Sequence, residues 1–145
     1  MKNILQSVLN KEIPLTNAIG LEIINYSHNE ITVFAPLEKN INHKCTAFGG
    51  SLYSVCVLAG WSLIYALLKE NNVNGHIVIQ ESNIKYLKPV DQNIKAQCSF
   101  NDNAHKMRFL KTYQRKNKAR IQLTTKILQN DNDAVIFTGS YVVHQ

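Results

Sequence analysis

GSLYSVCVLAGWSLIYALL, residues 50–68, is apolar on nearly every side and decides the fold. The segment is slightly short for a transmembrane span and is interrupted by serine and glycine, so it favours a core helix over a membrane-crossing one. A helix without a polar face must be enclosed by other elements of the chain. We therefore predict one long central helix and no membrane span.

The segments on either side of this helix have the patterns of strands. Upstream, GLEIINYSHNEITVFAPL (20–37) alternates apolar and polar residues around a polar break at Ser27–Glu30, which predicts a hairpin. Residues 1–15 have helical spacing and predict a short surface helix, whereas 101–114 is ambiguous and could hold a short helix. The downstream segments that predict strands are 76–90, 93–100, 119–128 and 134–145, with a hairpin turn at 128–135.

The whole chain, residues 1–145, is predicted to form one α+β domain in which an antiparallel sheet wraps around the helix. With 145 residues, 45% of them hydrophobic and 18% charged, the chain can bury a single core and is too short for two domains. A curled sheet leaves an edge strand exposed, and pairing with a second copy commonly closes such an edge. We therefore expect a homodimer, or a larger homo-oligomer, that associates through the sheet edge.

Cysteine usage and charge restrict the compartment and the partners. Cys45, Cys56 and Cys98 are odd in number and form no CxxC pair, so we expect no disulfide framework, no metal site and a reducing cytoplasm. The net charge of +6 suggests an acidic partner. Basic residues cluster between Lys106 and Arg120 without a nucleic-acid motif, which favours a solvated face over a nucleic-acid groove. An acidic carrier protein or a phosphorylated cofactor is a third possibility.

Three stretches carry a resemblance to a known family: PLEKNINHKCTAFGGSLYSVCVLAGWSLIY (36–65), IVIQESNIKYLKPV (77–90) and KARIQLTTKI (118–127). Together with the strand order, they resemble the hot-dog acyl-thioester superfamily and, within it, the YiiD-type "putative thioesterase" domain, whose members include malonyl-acyl-carrier-protein decarboxylases. The combination TAFGGSLYS followed by LAGW is far more specific than a pair of glycines. The resemblance implies a hot-dog fold and a pantetheine-bearing substrate, either an acyl carrier protein or a coenzyme A thioester, with no separate cofactor.

The loop before the helix departs from the pattern of many hot-dog thioesterases. In those enzymes a loop asparagine is followed by His-Gly-Gly and, about two helical turns later, by an acidic base or nucleophile. Here Phe48 stands in place of the histidine and Val57 in place of the acid. Hydrolysis needs a general base or a nucleophile, and neither residue is one.

Decarboxylation of a malonyl thioester needs no base, because its main requirement is stabilisation of the enolate charge that develops on the thioester oxygen. The backbone amides of Gly49 and Gly50, at the start of the helix, are candidate donors. Asn42 matches the family's loop asparagine and is predicted to hold the substrate carboxylate, with Asn40 as the alternative. On spacing alone, either asparagine would be favoured as a turn residue.

Further substrate contacts are predicted around the loop and on the strand at 76–86. Thr46 is either an N-cap or a substrate contact, and Phe48 and Val57 would keep water from the site. The resemblance implies that the strand lines the acyl pocket across a dimer interface. Simple alternation puts Val78, Gln80, Ser82, Ile84 and Tyr86 on one face, and Ile77, Ile79, Glu81, Asn83, Lys85 and Leu87 on the other. The candidate contacts are Gln80 and Ser82 for substrate, and Lys85 and Lys88 for cofactor phosphates or an acidic carrier helix.

Three functions remain open from the sequence. The first is decarboxylation of a malonyl thioester to the acetyl thioester, which could feed the initiation of fatty-acid synthesis. The second is acyl-thioester hydrolysis, which needs Glu81 or an unrecognised residue as base. The third is noncatalytic binding of an acyl thioester in the same pocket.

Overall fold

The computed structural model describes all residues from Met1 to Gln145 as four α-helices, one 3-10 helix and six strands. In chain order these are α1 (Lys2–Glu12), α2 (Leu15–Ile19), β1 (Glu22–Tyr26), β2 (Glu30–Ala35), the 3-10 helix (Leu37–Lys39), α3 (Gly49–Glu70), β3 (His76–Tyr86), β4 (Ile94–Ser99), α4 (Asn103–Lys116), β5 (Lys118–Gln129) and β6 (Asn132–His144). The six strands form one antiparallel sheet in the order β1-β2-β4-β5-β6-β3. The predicted α+β hot-dog fold, with a sheet wrapped around one long helix, is confirmed.

α3 is the centre of the core. By length and composition it could cross a membrane, but 67% of its most apolar 18 residues are buried inside the chain. From Leu52 to Leu68, the residues that are not buried are Tyr53, Ser54, Val57, Trp61 and Tyr65. The helix is therefore enclosed on all sides except the one that carries these residues.

A glycine in the middle of α3 lets the helix approach the sheet closely. A Cβ at Gly60 would overlap the hydroxyl of Tyr141 on β6. That hydroxyl donates to the Val57 carbonyl at 2.9 Å, so it is fully buried without being unpaired. Tyr141 therefore marks the face of β6 that is turned towards α3.

β3 contains a β-bulge, which changes the side of the sheet that its residues face. Ile79 pairs with Tyr141 and Glu81 pairs with Ser140, so Gln80 is an extra residue without an opposite partner. Residues directly opposite each other on paired strands share a face of the sheet. Since Tyr141 faces α3, Ile79 faces α3 as well.

Beyond the bulge, the residues that face α3 follow from the same register. Ser82 lies opposite Gly139 and Ile84 lies opposite Phe137, and both partners share the face of Tyr141 by the two-residue period of a strand. Glu81 and Lys85 lie opposite Ser140 and Ile136 and face away from α3. The prediction of simple alternation through β3 is therefore wrong, because the extra residue shifts the phase of the strand.

Because of the bulge, Gln80 and Ser82 face opposite sides of the sheet. Gln80 is exposed, and its Oε1 accepts a hydrogen bond at 3.2 Å from Nη1 of Arg120, on the side of the sheet away from α3. Ser82 is half-buried and faces α3. Tyr86, opposite Val135, also lies on the α3 side, as does Ile84, so the predicted grouping holds for the end of the strand.

α4 is a full helix of 14 residues where the sequence indicated at most a short one. Its N-cap, Asp102, accepts from the His105 amide at 2.7 Å, and it ends at Asn117 in the left-handed region. The helix buries some residues of the basic cluster and exposes others. Lys106 is only 8% exposed and its Nζ donates to Asn29 Oδ1 at 2.6 Å, whereas Arg108 lies on the exposed face.

Candidate active site

The loop between the 3-10 helix and α3 is a small hydrogen-bonded hairpin. Ile41 and Ala47 form an isolated bridge, and the Asn42 amide donates to the Thr46 carbonyl at 2.7 Å. A second hydrogen bond, from Phe48 N to the Asn40 carbonyl at 2.7 Å, joins the two sides of the hairpin, and one from Ala47 N to the Val90 carbonyl, also 2.7 Å, holds it to the rest of the chain. These hydrogen bonds therefore fix the direction in which the chain enters α3.

Asn42 shapes this loop with its own side chain. Its Oδ1 accepts from the Lys44 amide at 2.9 Å and from the Thr46 amide at 3.1 Å, which is the pattern of an Asx turn. Its Nδ2 donates to Thr46 Oγ1 at 2.9 Å. An amide NH₂ carries two hydrogens, so Asn42 keeps one donor that no group of the chain uses.

Asn40 has no donor left. It is 2% exposed, and its Nδ2 donates to the Ile19 carbonyl at 2.9 Å and to the Pro36 carbonyl at 2.7 Å. Its Oδ1 is buried and has no hydrogen-bond partner in the chain. The side chain therefore ties the end of α2 to the end of β2, and of the two asparagines only Asn42 has a free N–H for a ligand.

Thr46 is not the N-cap of α3, since that position belongs to Phe48, which makes no side-chain cap. The Thr46 hydroxyl instead accepts the Asn42 Nδ2 hydrogen bond and fixes the orientation of that amide. Phe48 is 57% exposed in this single chain, so it does not by itself exclude water from the loop.

The first turn of α3 presents uncapped N–H groups. The first hydrogen bond of the helix type runs from Leu52 N to the Phe48 carbonyl at 3.0 Å, and no side chain caps the amides of Gly49, Gly50 or Ser51. These amides form the positive end of a helix of 22 residues.

Internal packing does not explain why residue 49 is glycine. A Cβ at Gly49 would lie 3.4 Å from the Tyr86 hydroxyl, an ordinary contact distance, so an alanine would fit within this chain. A Cβ at Gly50 would lie 2.5 Å from the ring of the neighbouring Phe48, an exposed side chain that would have to move. The side chains of Tyr86 and Phe48 therefore lie directly beside these two glycines.

Two tyrosines that the sequence did not assign to the site join α3 to β3. The Tyr86 hydroxyl donates to the Gly49 carbonyl at 2.9 Å, and the Tyr53 hydroxyl pairs with Ser82 Oγ at 2.8 Å. Burial, followed by the nearby Cys56 and Tyr53, raises the pKa of Tyr86, so its hydroxyl stays protonated at neutral pH. The spacing of Tyr53 from Gly49, one helical turn, is a sequence signal for its placement. No local signal exists for Tyr86, because its contact depends on the packing of β3 against α3.

The other predicted contact residues have different positions. Val57 is half-buried on α3, and its carbonyl accepts from Tyr141. Lys85 is exposed on the face of β3 away from α3, and Lys88 is exposed just after that strand. The structure thus brings Ser82 to Tyr53, one turn into α3, and leaves Gln80 and Lys85 on the opposite side of the sheet.

No carboxylate or imidazole is bonded to the first turn of α3, and the hydroxyls of Tyr86 and Ser54 that reach it donate to the carbonyls of Gly49 and Gly50. That turn contains no acidic residue, and Glu81 faces the other side of the sheet. Cys56 is fully buried, and burial together with the neighbouring Cys98 raises the pKa of its thiol well above the ordinary value. A protonated, enclosed thiol is a poor nucleophile.

Solved structures with the same fold cover nearly the whole chain. A protein of unknown function from Chlorobaculum tepidum TLS matches with a TM-score of 0.94 and 35% identity, over 99% of this chain and 94% of that one. A protein described as a putative thioesterase from Shewanella oneidensis matches with a TM-score of 0.91 and 28% identity, over 99% and 97% of the two chains. A thioesterase from Haemophilus influenzae, with a TM-score of 0.73 and 16% identity over 97% and 87%, shares the fold.

The family comparison covers the same extent. Residues 2–145 match the family described as "Putative thioesterase (yiiD_Cterm)". This match supports hydrolysis or binding of an acyl thioester as the general function. The chain therefore belongs to the yiiD C-terminal thioesterase family of hot-dog proteins.

Proposed function

We propose that the protein is a cytoplasmic enzyme that decarboxylates a malonyl thioester, carried by acyl carrier protein or coenzyme A, to the acetyl thioester. One observation carries this proposal: the first turn of α3 offers free backbone donors and the loop offers a spare amide donor, while no carboxylate or imidazole is bonded there. Such a site suits a reaction whose barrier is lowered by fixed donors. The acetyl thioester is a starting unit for fatty-acid synthesis.

The proposed reaction balances without a base. The bond between the α-carbon and the carboxylate carbon breaks, carbon dioxide leaves, and the electron pair moves into the thioester as an enolate. The N–H groups of Gly49 and Gly50 stabilise the charge on the enolate oxygen, and one such donor is typically worth about 3 kcal/mol in the barrier. The free N–H of Asn42 holds the carboxylate with the breaking bond perpendicular to the thioester plane. A proton from water completes the acetyl group.

A second copy of the chain is part of the proposal. Tyr53, Val57, Trp61 and Tyr65, spaced four residues apart, form a half-buried stripe on α3 beside β3, which is an edge strand of the sheet. Apolar rings next to an unpaired strand edge are features that a homodimer covers. We expect the exposed Lys85 and Lys88 to contact phosphates of the pantetheine-bearing partner.

Acyl-thioester hydrolysis is the second candidate, and the family description favours it. Hydrolysis needs an activated water or a covalent intermediate. Glu81 cannot serve the site of its own chain, because it faces away from α3. It would have to act on the site of a second copy.

Mass spectrometry of the products separates these functions. Purified protein is incubated with malonyl and acetyl thioesters of both carriers. We expect acetyl thioester and carbon dioxide from the malonyl substrate, and unchanged acetyl substrate. Release of free thiol from both substrates would show hydrolysis and overturn the proposal, and no product from either would leave only a binding role. In a matched variant, Glu81→Gln, decarboxylation should persist, whereas its loss would favour a hydrolytic base.

A further inference from the structure

α4 carries an excess of positive charge that the rest of the chain does not neutralise. The helix contains five Lys or Arg residues and no Asp or Glu, against a net charge of +6 for the whole chain. Lys106 is buried, and its Nζ donates to Asn29. The other four are exposed and form no salt bridge: Arg108, Lys111, Arg115 and Lys116. The acid at the start of the helix, the N-cap Asp102, is bonded to His105.

Three of the exposed cations lie along one side of α4, and we call them the basic stripe: Arg108, Lys111 and Arg115. Their spacings of three and four residues place them next to one another on successive turns. Like charges at these spacings repel and destabilise a helix. A partner that brings carboxylates to the stripe would relieve this repulsion.

The basic stripe borders a cleft between α4 and β5. The cleft has a volume of about 250 Å³, is lined by Arg108 from α4 and by Arg120 from β5, and has no Asp or Glu in its lining. One N–H of Arg120 donates to Gln80 Oε1, and the other N–H groups of this guanidinium have no partner in the chain. Two guanidinium groups that line one cleft are suited to binding a carboxylate.

The surface fits an acidic protein better than a nucleic acid. Proteins that bind single strands combine cations with exposed aromatic rings on which the bases stack. The aromatic rings of Phe109 and Tyr113 on α4 are buried. Met107, half-buried beside the stripe, offers a flexible apolar contact instead. A helix that presents carboxylates together with apolar side chains would match both the stripe and Met107.

The position of α4 relates the stripe to the first turn of α3 in a second copy. The Tyr113 hydroxyl donates at 2.7 Å to the carbonyl of Asn74, two residues before β3 begins, so α4 lies beside the start of β3. Gly49 lies at the other end of that strand, where its carbonyl accepts from Tyr86. Because β3 has 11 residues, α4 and Gly49 of one chain are separated by a distance on the order of 30 Å.

Two-fold symmetry brings the stripe of one copy to the end of the molecule that holds the site of the other. A two-fold axis between two β3 edges pairs these strands antiparallel, so the start of one β3 lies beside the end of the other. α4 of one copy and Gly49 of the other are then at the same end of the dimer.

We propose that the basic stripe and the adjoining cleft dock the acidic carrier protein that brings the malonyl thioester, and that a carrier docked on one copy serves the first turn of α3 in the other. This inference rests on the proposed function and the proposed homodimer, and it selects a carrier protein over free coenzyme A. One carboxylate of the carrier binds in the cleft between Arg108 and Arg120, and others contact Lys111 and Arg115.

The docking site is tested by calorimetry on the full-length protein, with purified acyl carrier protein that bears phosphopantetheine but no acyl group. Arg108→Glu combined with Arg115→Glu should bind this carrier about tenfold or more weakly, because attraction across the interface becomes repulsion. The KM for the malonyl carrier should rise in parallel. Lys2→Glu combined with Lys11→Glu, an equal change of charge at exposed positions of α1, is the control and should bind the carrier like the wild type.

Two results would overturn the docking site. The first is equal affinity of the two double variants for the carrier. The second is tighter binding of a single-stranded oligonucleotide than of the carrier, lost in the α4 variant, which would assign the surface to nucleic acid.

Mixed dimers test delivery between the copies. One copy carries Arg108→Glu with Arg115→Glu, the other carries Asn42→Asp, and the two are co-expressed with different tags and purified together. Delivery between copies leaves one intact stripe at the same end as one intact site, so roughly half of the wild-type turnover should remain. Delivery within a copy leaves no intact combination, so turnover no higher than in the two parent homodimers would overturn delivery between copies.

Turnover of the malonyl carrier by the wild-type protein is measured separately. Carrier binding that depends on the stripe, without decarboxylation, would refute the proposed function and leave the docking site standing. Normal decarboxylation with a carrier affinity that both double variants share would refute the docking site alone.

Discussion

At the scale of single residues, the side-chain N–H donors of Asn40 and Asn42, in the same loop, differ in how many hydrogen bonds they make within the chain. Both Nδ2 hydrogens of Asn40 go to backbone carbonyls, one at Ile19, 21 residues away, and one at Pro36, four residues away. Asn42 uses its Oδ1 for the turn and one hydrogen for Thr46. A side chain can serve a ligand only with the hydrogen-bonding capacity that the fold leaves unused.

Asn42→Asp separates the turn role of Asn42 from its proposed catalytic role. An aspartate still accepts from the Lys44 and Thr46 amides, so the loop should fold, but it offers no N–H and repels the substrate carboxylate. We expect decarboxylation to fall by about a hundredfold or more, with a change in the free energy of unfolding of about 1 kcal/mol. Steady-state kinetics and thermal unfolding measure the two effects.

Asn42→Ala is the matched control, because it removes both roles. It should lose activity and also more stability than Asn42→Asp, since the turn hydrogen bonds disappear. Wild-type activity in Asn42→Asp would contradict a donor role for this residue.

At the scale of elements, the bulge in β3 decides which side chains reach α3. The extra residue Gln80 contributes no pair to the ladder with β6. If Gln80 were deleted, the strand would alternate regularly from Ile77 to Tyr86, and Ile79, Ser82 and Ile84 would still face the helix. The bulge thus accommodates Gln80 as an extra residue, so that Ile79 before it and Ser82 after it both face α3.

Deletion of Gln80 should be tolerated, with a loss of about 1 kcal/mol, the size of the Arg120 hydrogen bond that disappears. Deletion of Asn83 is the control. It also makes the strand regular, but with Glu81 facing α3 and Ser82 facing away, which buries a charge and breaks the Tyr53 pair. We expect that variant to lose several kcal/mol. Urea unfolding compares them, and equal stabilities would contradict the assigned phase.

At the scale of the whole molecule, the fold leaves one long edge open beside the candidate site. β3 has 11 residues and pairs only with β6, and the half-buried rings of Trp61 and Tyr65, stacked with centroids 5.2 Å apart, lie on the adjacent side of α3. An edge of this length next to apolar rings favours association with a second chain.

Light scattering should give a mass of at least twice the 16.5 kDa of one chain. Trp61→Glu places a charge in the stripe and should shift the protein towards monomer, with activity falling in parallel. Arg108→Glu, a charge change on the exposed face of α4, is the control and should leave the mass unchanged. A wild-type monomer at micromolar concentration would contradict the proposed assembly.

The sequence by itself determined the fold class, the central helix, the hairpins and the loop that leads into Gly49. These follow from hydrophobic periods and turn residues, which act over a few neighbouring positions. The resemblance to hot-dog thioesterases also implied that Phe48 and Val57 stand in place of the loop histidine and the helix acid of many of those enzymes.

Only the tertiary structure decided the phase of β3, the full length of α4, the spare donor of Asn42 and the contacts of Tyr53 and Tyr86. The phase of β3 and the contacts of Tyr53 and Tyr86 depend on partners far away in the chain: Ser82 is 29 residues from Tyr53, and Gly49 is 37 residues from Tyr86. The spare donor of Asn42 depends on the folded loop, in which Thr46 takes the other Nδ2 hydrogen. The position of a bulge depends on the register between two strands. Whether a side chain keeps an unused hydrogen-bond donor depends on every group that packs around it. Local sequence patterns do not contain either quantity, because both arise when distant segments come together.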